Sequence, residues 1–178
     1  MMTDERIAED DLLRAAARMP RGSGIVLRHH ATPEAQRRAL FARLGRIARR
    51  RHLILFVAGD ARMAAGWGAD GHHGGSESGG KLPRSMAVHD MRQLRAAERG
   101  AADLVFLSPL FPTRSHPGAR PLRPYRFAAL ARRARMPVMA LGGVAAHHAG
   151  LVRTLGADGW AAIDAFTRPA TARPVRRA

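Results

Sequence analysis

Arginine and histidine dominate the chemistry open to this chain of 178 residues, which has nine histidines and no cysteine. Lys81 is the only lysine, so the 30 basic residues less that one leave 29 arginines, against 14 acidic residues and a formal net charge of +16. Such a balance favours anionic partners: nucleic acid, anionic lipid or phosphorylated small molecules. Alanine and glycine are abundant beside arginine, as in a GC-rich genome, so the charge alone names no function. Without cysteine, disulfides, thiolate zinc sites and cysteine nucleophiles are excluded. His30, His73, His89 and His116 stand at or just beyond the ends of apolar runs. Gathered on one rim they would suit a metal held by imidazoles. Spacing across separate strands does not test that idea, because alternate strand residues face opposite ways. His147 and His148 read as a helix start.

The elements that must position these groups alternate. Apolar runs read as strands at 24–30, 52–59, 69–75, 85–90, 103–111, 137–144 and 156–166. Near-continuous runs such as LILFVA and VMALGG suit a parallel sheet buried on both faces. Between them the pattern predicts helices over 34–51, 61–67, 90–99, 125–135 and 145–155, with a polar helix over 9–19 ahead of the first strand. In the 34–51 stretch Leu40, Phe41, Leu44 and Ile47 form one apolar stripe. Arg37, Arg43, Arg46 and Arg50 fall largely opposite, on a face expected to be solvated. Arginines so placed could grip nucleic-acid phosphate. With a single tyrosine and 5% aromatic residues there is no base-stacking platform, and specific nucleic-acid binding is not expected.

Strands alternating with helices predict βα units. Seven strands are one short of a (β/α)8 TIM barrel, and residues 1–4 look like the end of a first strand whose beginning is absent. Either that strand is vestigial or the coding sequence begins further upstream. The expectation is one compact α/β domain over 1–166, a TIM barrel with its first strand short or truncated. A disordered basic tail is expected over 167–178. No run of 18 apolar residues and no signal-peptide pattern is present, so a cytoplasmic location is expected.

The stretch 102–144 carries a more specific pattern: a strand ending in P-L-F-P-T, a polar loop, then P-G-A-R-P-L, a helix, and P-V-M-A-L-G-G-V. This combination resembles the thiamine phosphate synthase family, which includes the TenI-type thiazole tautomerases. Other fragments agree in order. M-T-D at 2–4 is similar to the end of the family's first strand, and I-V-L-R-H-H at 25–30 stands where the family has Q-L-R-x-K. G-A-D-G-H-H-G-G at 68–75 resembles G-A-D-G-V-H-L-G, and A-V-H at 87–89 resembles S-x-H. The resemblance covers about residues 2–166 and implies a (β/α)8 barrel with its site at the C-terminal strand ends. The implied reaction joins an aminopyrimidine diphosphate to a thiazole phosphate, with Mg²⁺ assisting the departing diphosphate.

Carried over residue by residue, the resemblance implies that Arg28 holds a diphosphate oxygen through its donor fork. His30 stands where the family has lysine, and neutral imidazole is a weaker phosphate ligand. Thr113, Ser115 and His116 match the loop that wraps the diphosphate, with His116 again replacing lysine and Arg114 supplying charge. Gly142 and Gly143 match the turn whose amides approach the thiazole phosphate. His89 matches a proton-transfer candidate of the tautomerase branch, which needs no metal. The departures are substantial. Ala58 and Gly59 stand where the family has Asn-Asp, the aspartate being a metal ligand. Ser78, beside Glu77, stands at the second metal aspartate. Ala87 and Asp164 replace serines, and a carboxylate at 164 would repel a phosphate. Asp60 and Glu77 are left as improvised Mg²⁺ ligands.

The resemblance therefore implies a thiamine phosphate synthase-like transferase acting on phosphorylated small molecules, with Mg²⁺ as cofactor. A metal-independent TenI-like tautomerase and a barrel that only binds a phosphorylated ligand or partner are the alternatives.

Overall fold

The computed structural model describes residues 1–75, 81–113, 118 and 120–167. Seven strands form one parallel sheet in sequence order. They are β1 (Gly24–Leu27), β2 (Ile54–Ala58), β3 (Gly71–His73), β4 (Arg84–Val88), β5 (Leu104–Leu107), β6 (Val138–Ala140) and β7 (Gly159–Trp160). The helices are α1 (Glu9–Arg18), α2 (Glu34–Arg51), α3 (Ala61–Trp67), α4 (Met91–Arg99), α5 (Arg123–Ala131), α6 (Ala149–Thr154) and α7 (Asp164–Thr167), with a 3-10 turn at Ala146–His148 before α6.

The strands sort their side chains with period two, which buries both faces of the sheet. Ile25, Leu27, Leu55 and Val57 pack under α1, α2 and α3 with Leu12, Leu40, Phe41 and Leu44. Val88, Val105, Leu107 and Val138 pack under α4, α5 and α6 with Leu94, Phe127 and Leu130. The intervening residues form a separate inner cluster of Met2, Val26, Phe106, Ala161 and Ile163, joined by Phe56, Leu104 and Met139.

Residues 1–3 make the expected strand end. Met2 pairs in parallel with Val26. Its neighbours complete the pairing: Val26 N–H donates to Met1 O at 2.9 Å and Thr3 N–H to Val26 O at 3.0 Å. On the other side Met2 N–H donates to Ala162 O at 3.0 Å, beyond β7. This stub therefore bonds β1 on one side and the segment just after β7 on the other. Below it lies a cavity of about 420 Å³ walled by Met19, Val26, Phe56, Phe106, Met139 and Trp160.

Several expected elements change: the strands expected over 103–111 and 137–144 end at Leu107 and Ala140, the helix expected over 125–135 spans Arg123–Ala131, and that expected over 145–155 is a 3-10 turn followed by α6. Residues 164–166, read as strand, lie in α7, because the sheet ends at Trp160. The first strand stops at Leu27 instead of 30, since His29 adopts a left-handed φ of 44° that leaves the sheet plane. Between β3 and β4 the buried Arg84 braces the chain. Its guanidinium donates to Gly74 O, Gly75 O and Gly100 O, and its backbone N–H to Asp103 Oδ2. The tail at 168–178 lies outside the described residues. Among the described residues no helix is long and apolar enough to cross a membrane.

Candidate active site

The C-terminal ends of the strands gather the polar groups. Arg28 follows β1 on the same side as Val26, two residues on. Its Nη2 lies 3.0 Å from Asp4 Oδ2, its Nε donates to Thr3 O at 2.9 Å, and its backbone N–H donates to Thr3 Oγ1 at 3.0 Å. Burial lowers the Arg28 pKa, against the charges of Asp4 and Glu5. The guanidinium stays protonated regardless. For Asp4 burial acts upward, but the Arg6 hydrogen bonds and the Arg6 and Arg28 charges outweigh it and hold the carboxyl below its usual range.

The stub thus does more than end a strand. Thr3 is fully buried, and its Oγ1 lies 2.9 Å from His29 Nδ1. Burial lowers the His29 pKa, and the Thr3 hydroxyl and His29 Nδ1 share one hydrogen bond. Glu5 accepts from Ala31 N–H at 2.8 Å. Residues 28–31 are clamped from three sides, and His30, exposed at the end of this loop, acts electrostatically on His73.

His73 ends β3 and faces inward, with its ring 5.5 Å from that of Phe106 and its Nδ1 3.0 Å from Ser85 Oγ. Burial and the nearby Arg28, His30 and His72 push its pKa down to about 4, so the ring is neutral at pH 7. His89 follows β4. Its Nδ1 lies 2.8 Å from Ser108 O. A carbonyl only accepts, so Nδ1 carries a proton. The ring is exposed.

Gly142 and Gly143 turn after β6 with φ of 87° and 64°. Here close approach matters as much as conformation. A Cβ on Gly142 would stand 2.6 Å from Pro109 Cβ, and one on Gly143 would stand 2.5 Å from Pro112 O. The glycines let this turn lie directly on the loop after β5, which it also bonds: Phe111 N–H donates to Gly142 O at 3.0 Å. That loop leads to Thr113. Phe111 stacks on His148 at 4.5 Å between ring centroids, and His148 Nδ1 accepts from Ala145 N–H at 3.1 Å. Arg114, Ser115, His116 and Glu77 lie outside the described residues.

The end of β2 differs from a metal-binding strand end. Asp60 N-caps α3, its Oδ1 accepting from Met63 N–H at 2.7 Å. A Cβ on Gly59, whose φ is 144°, would stand 2.3 Å from Met63 Cε. Arg37, expected on a solvated face, is half-buried instead. Its Nη2 donates to Ala58 O, and its guanidinium lies 5.5 Å above the Trp67 ring. Among the described residues no three His, Asp or Glu side chains gather to hold a metal ion, so a histidine cluster does not form there. Asp4, Glu5, Asp60 and Asp90 each already accept a hydrogen bond. Mg²⁺ binds through one or two carboxylates together with water and substrate phosphate; at the end of β2 Asp60 is the one carboxylate among the described residues, and it is committed to the α3 cap.

Sequence reasoning missed Thr3, His29 and Arg37. An Asp followed by a helical run at 60–67 is a recognisable cap signal; nothing local marks the other three.

A family model described as thiamine monophosphate synthase matches residues 1–166. A thiamine-phosphate synthase of Listeria monocytogenes serotype 4a is 34% identical over 122 residues, covering 61% of this chain and 57% of the relative. The chain therefore matches little more than half the length of that relative. A thiamine-phosphate synthase of Methylococcus capsulatus is 30% identical across 92% of this chain and 79% of its own length. The solved structure of a thiamine phosphate pyrophosphorylase from Pyrococcus furiosus superposes with a TM-score of 0.79 at 23% identity, covering 95% of this chain and 86% of the other.

Proposed function

The chain belongs to the thiamine monophosphate synthase family, and from that premise we propose that it joins an aminopyrimidine diphosphate to a thiazole phosphate. The observation that carries the reading is the family match over 1–166, which includes the residues just described. In this reading residues 1–3 take the place of the first of eight barrel strands. The C–O bond between the pyrimidine methylene and its diphosphate breaks, the thiazole nitrogen donates its electron pair to that methylene, and pyrophosphate leaves.

Charge builds on the diphosphate as its bond breaks, so donors fixed in advance lower the barrier. Arg28 is such a donor: Asp4 and Thr3 hold its guanidinium in place before any substrate arrives. Thr113, Arg114, Ser115 and His116 would complete the diphosphate cradle, with His30 at its edge. The amides of the Gly142–Gly143 turn would receive the thiazole phosphate. His89 would border the substrates at the strand ends; the condensation as written moves no proton through it. Asp60 and Glu77 are the carboxylates nearest in sequence to the family's metal positions. The relatives are named as synthases, so the tautomerase and binding-only readings are not carried forward.

The test is product formation from both substrates by the purified chain. Thiamine phosphate and pyrophosphate should appear together in equal amounts. Thiazole isomerisation without condensation would overturn the reading.

A further inference from the structure

Resting on that reading, we infer that the site takes its diphosphate or phosphate group on protein cations alone, without a bridging Mg²⁺. The end of β2 shows why. Among the described residues four of the oxygens there already have partners, and Asp60 supplies the one carboxylate. Ala58 O accepts from Arg37, and Gly59 O lies 3.3 Å from His72 Nδ1. Asp60 Oδ1 accepts from Met63 N–H, and Asp60 O from Ala64 N–H at 3.1 Å. Residue 59 itself has no side chain, and the space beside it is filled by Met63, whose Sδ lies 4.0 Å from Arg37 Nη1.

The charge points the same way. A guanidinium occupies the end of β2 where a divalent cation would need carboxylates. Arg28 supplies a second one across β1, held half-buried by Asp4. Arg37 Nε is buried and has no partner among the described atoms. Arg28 is partly offset by Asp4, while Arg37 makes no ion pair among the described residues, and its charge repels a divalent cation and attracts a phosphate oxyanion. Arginine also offers parallel donors that match phosphate geometry, which a metal would otherwise supply through its coordination shell. His73 registers the same field: it is held neutral by burial and by Arg28.

The experiment measures the dissociation constant of inorganic pyrophosphate for the full chain by calorimetry, in EDTA and in excess Mg²⁺. Binding in EDTA is expected to be as tight as in Mg²⁺ or tighter, because Mg²⁺ neutralises the free anion that the arginines hold. Arg28→Gln should weaken the EDTA constant about tenfold, the loss of one charge-assisted bond. Binding that tightens about tenfold or more with Mg²⁺ would overturn the inference and leave the phosphate reading standing. No binding in either buffer would overturn both. The comparison of buffers needs only the unsubstituted chain, so it stands even where Arg28→Gln does not fold.

Discussion

Replacing Gly142 by alanine isolates what the glycine turn contributes. Two costs arise at that position. An L residue at φ 87° is strained by about 1–2 kcal/mol. The new methyl would also stand 2.6 Å from Pro109 Cβ and 2.7 Å from Pro109 Cα. Proline has no rotamer that relieves such a contact, so the backbone must shift, at a cost of about 1–3 kcal/mol. The sum is about 2–5 kcal/mol, or a fall in Tm of roughly 4–20 °C for a domain of this size. Gly22 is the control. It has a similar φ of 78° but nothing within 4 Å of its would-be Cβ, so Gly22→Ala bears the strain alone. Urea denaturation of both variants should show Gly142→Ala less stable than Gly22→Ala by about 1 kcal/mol or more. Because the shift of Pro109 passes along the loop to Thr113, pyrophosphate binding should weaken in Gly142→Ala and persist in Gly22→Ala. Equal destabilisation of the two variants would refute the close-approach argument.

Three further outcomes are expected. Thr3→Val keeps shape but leaves Arg28 N–H and His29 Nδ1 unpaired in a buried place. It should cost about 1–3 kcal/mol in urea denaturation and weaken pyrophosphate binding; an unchanged midpoint would contradict the clamp. His73 binds its proton more weakly when folded, at a pKa of about 4 against 6.5, so the unfolded state holds more protons between those values. Stability should therefore rise as pH goes from about 4 to 6.5, by up to about 3 kcal/mol, and His73→Gln should flatten that slope; an unaltered slope in the variant counts against a buried neutral ring. His89→Ala should fold normally, since the ring is exposed, and condensation should persist within about tenfold, because the step moves no proton. A loss of about 100-fold or more would show a proton transfer that the written step lacks.

The frame was legible where one local pattern decides the outcome. The helix at Glu34–Arg51 and the short one at Ala61–Trp67 occupy their expected residues, because an apolar stripe and flanking glycine or proline set them. Strand centres were legible from apolar runs, but strand ends were not. His29 leaves the sheet bonded to Thr3, 26 residues away, and Asp164 opens α7 after the sheet has ended at Trp160. Arg37 illustrates the limit most clearly. Helical periodicity placed it with Arg43 and Arg46 on a solvated side, yet a carbonyl 21 residues away and the Trp67 ring draw its long side chain inward. Thr3 was visible only as part of a strand end, while its hydroxyl sets the geometry of the Arg28–His29 loop. The residue types of the proposed phosphate site stand in order along the chain. The loss of metal-ligand character at 58–60 was readable too, but what replaces it, Arg37 and Met63, required the fold.

The central claim is that this cationic strand end condenses two phosphorylated heterocycles. The direct measurement follows thiamine phosphate and pyrophosphate together, with the aminopyrimidine diphosphate and thiazole phosphate supplied to a sample that melts cooperatively, in EDTA and again in Mg²⁺. The account predicts equal amounts of both products, formed in EDTA as well as in Mg²⁺. A folded sample that forms no thiamine phosphate in either buffer would contradict it.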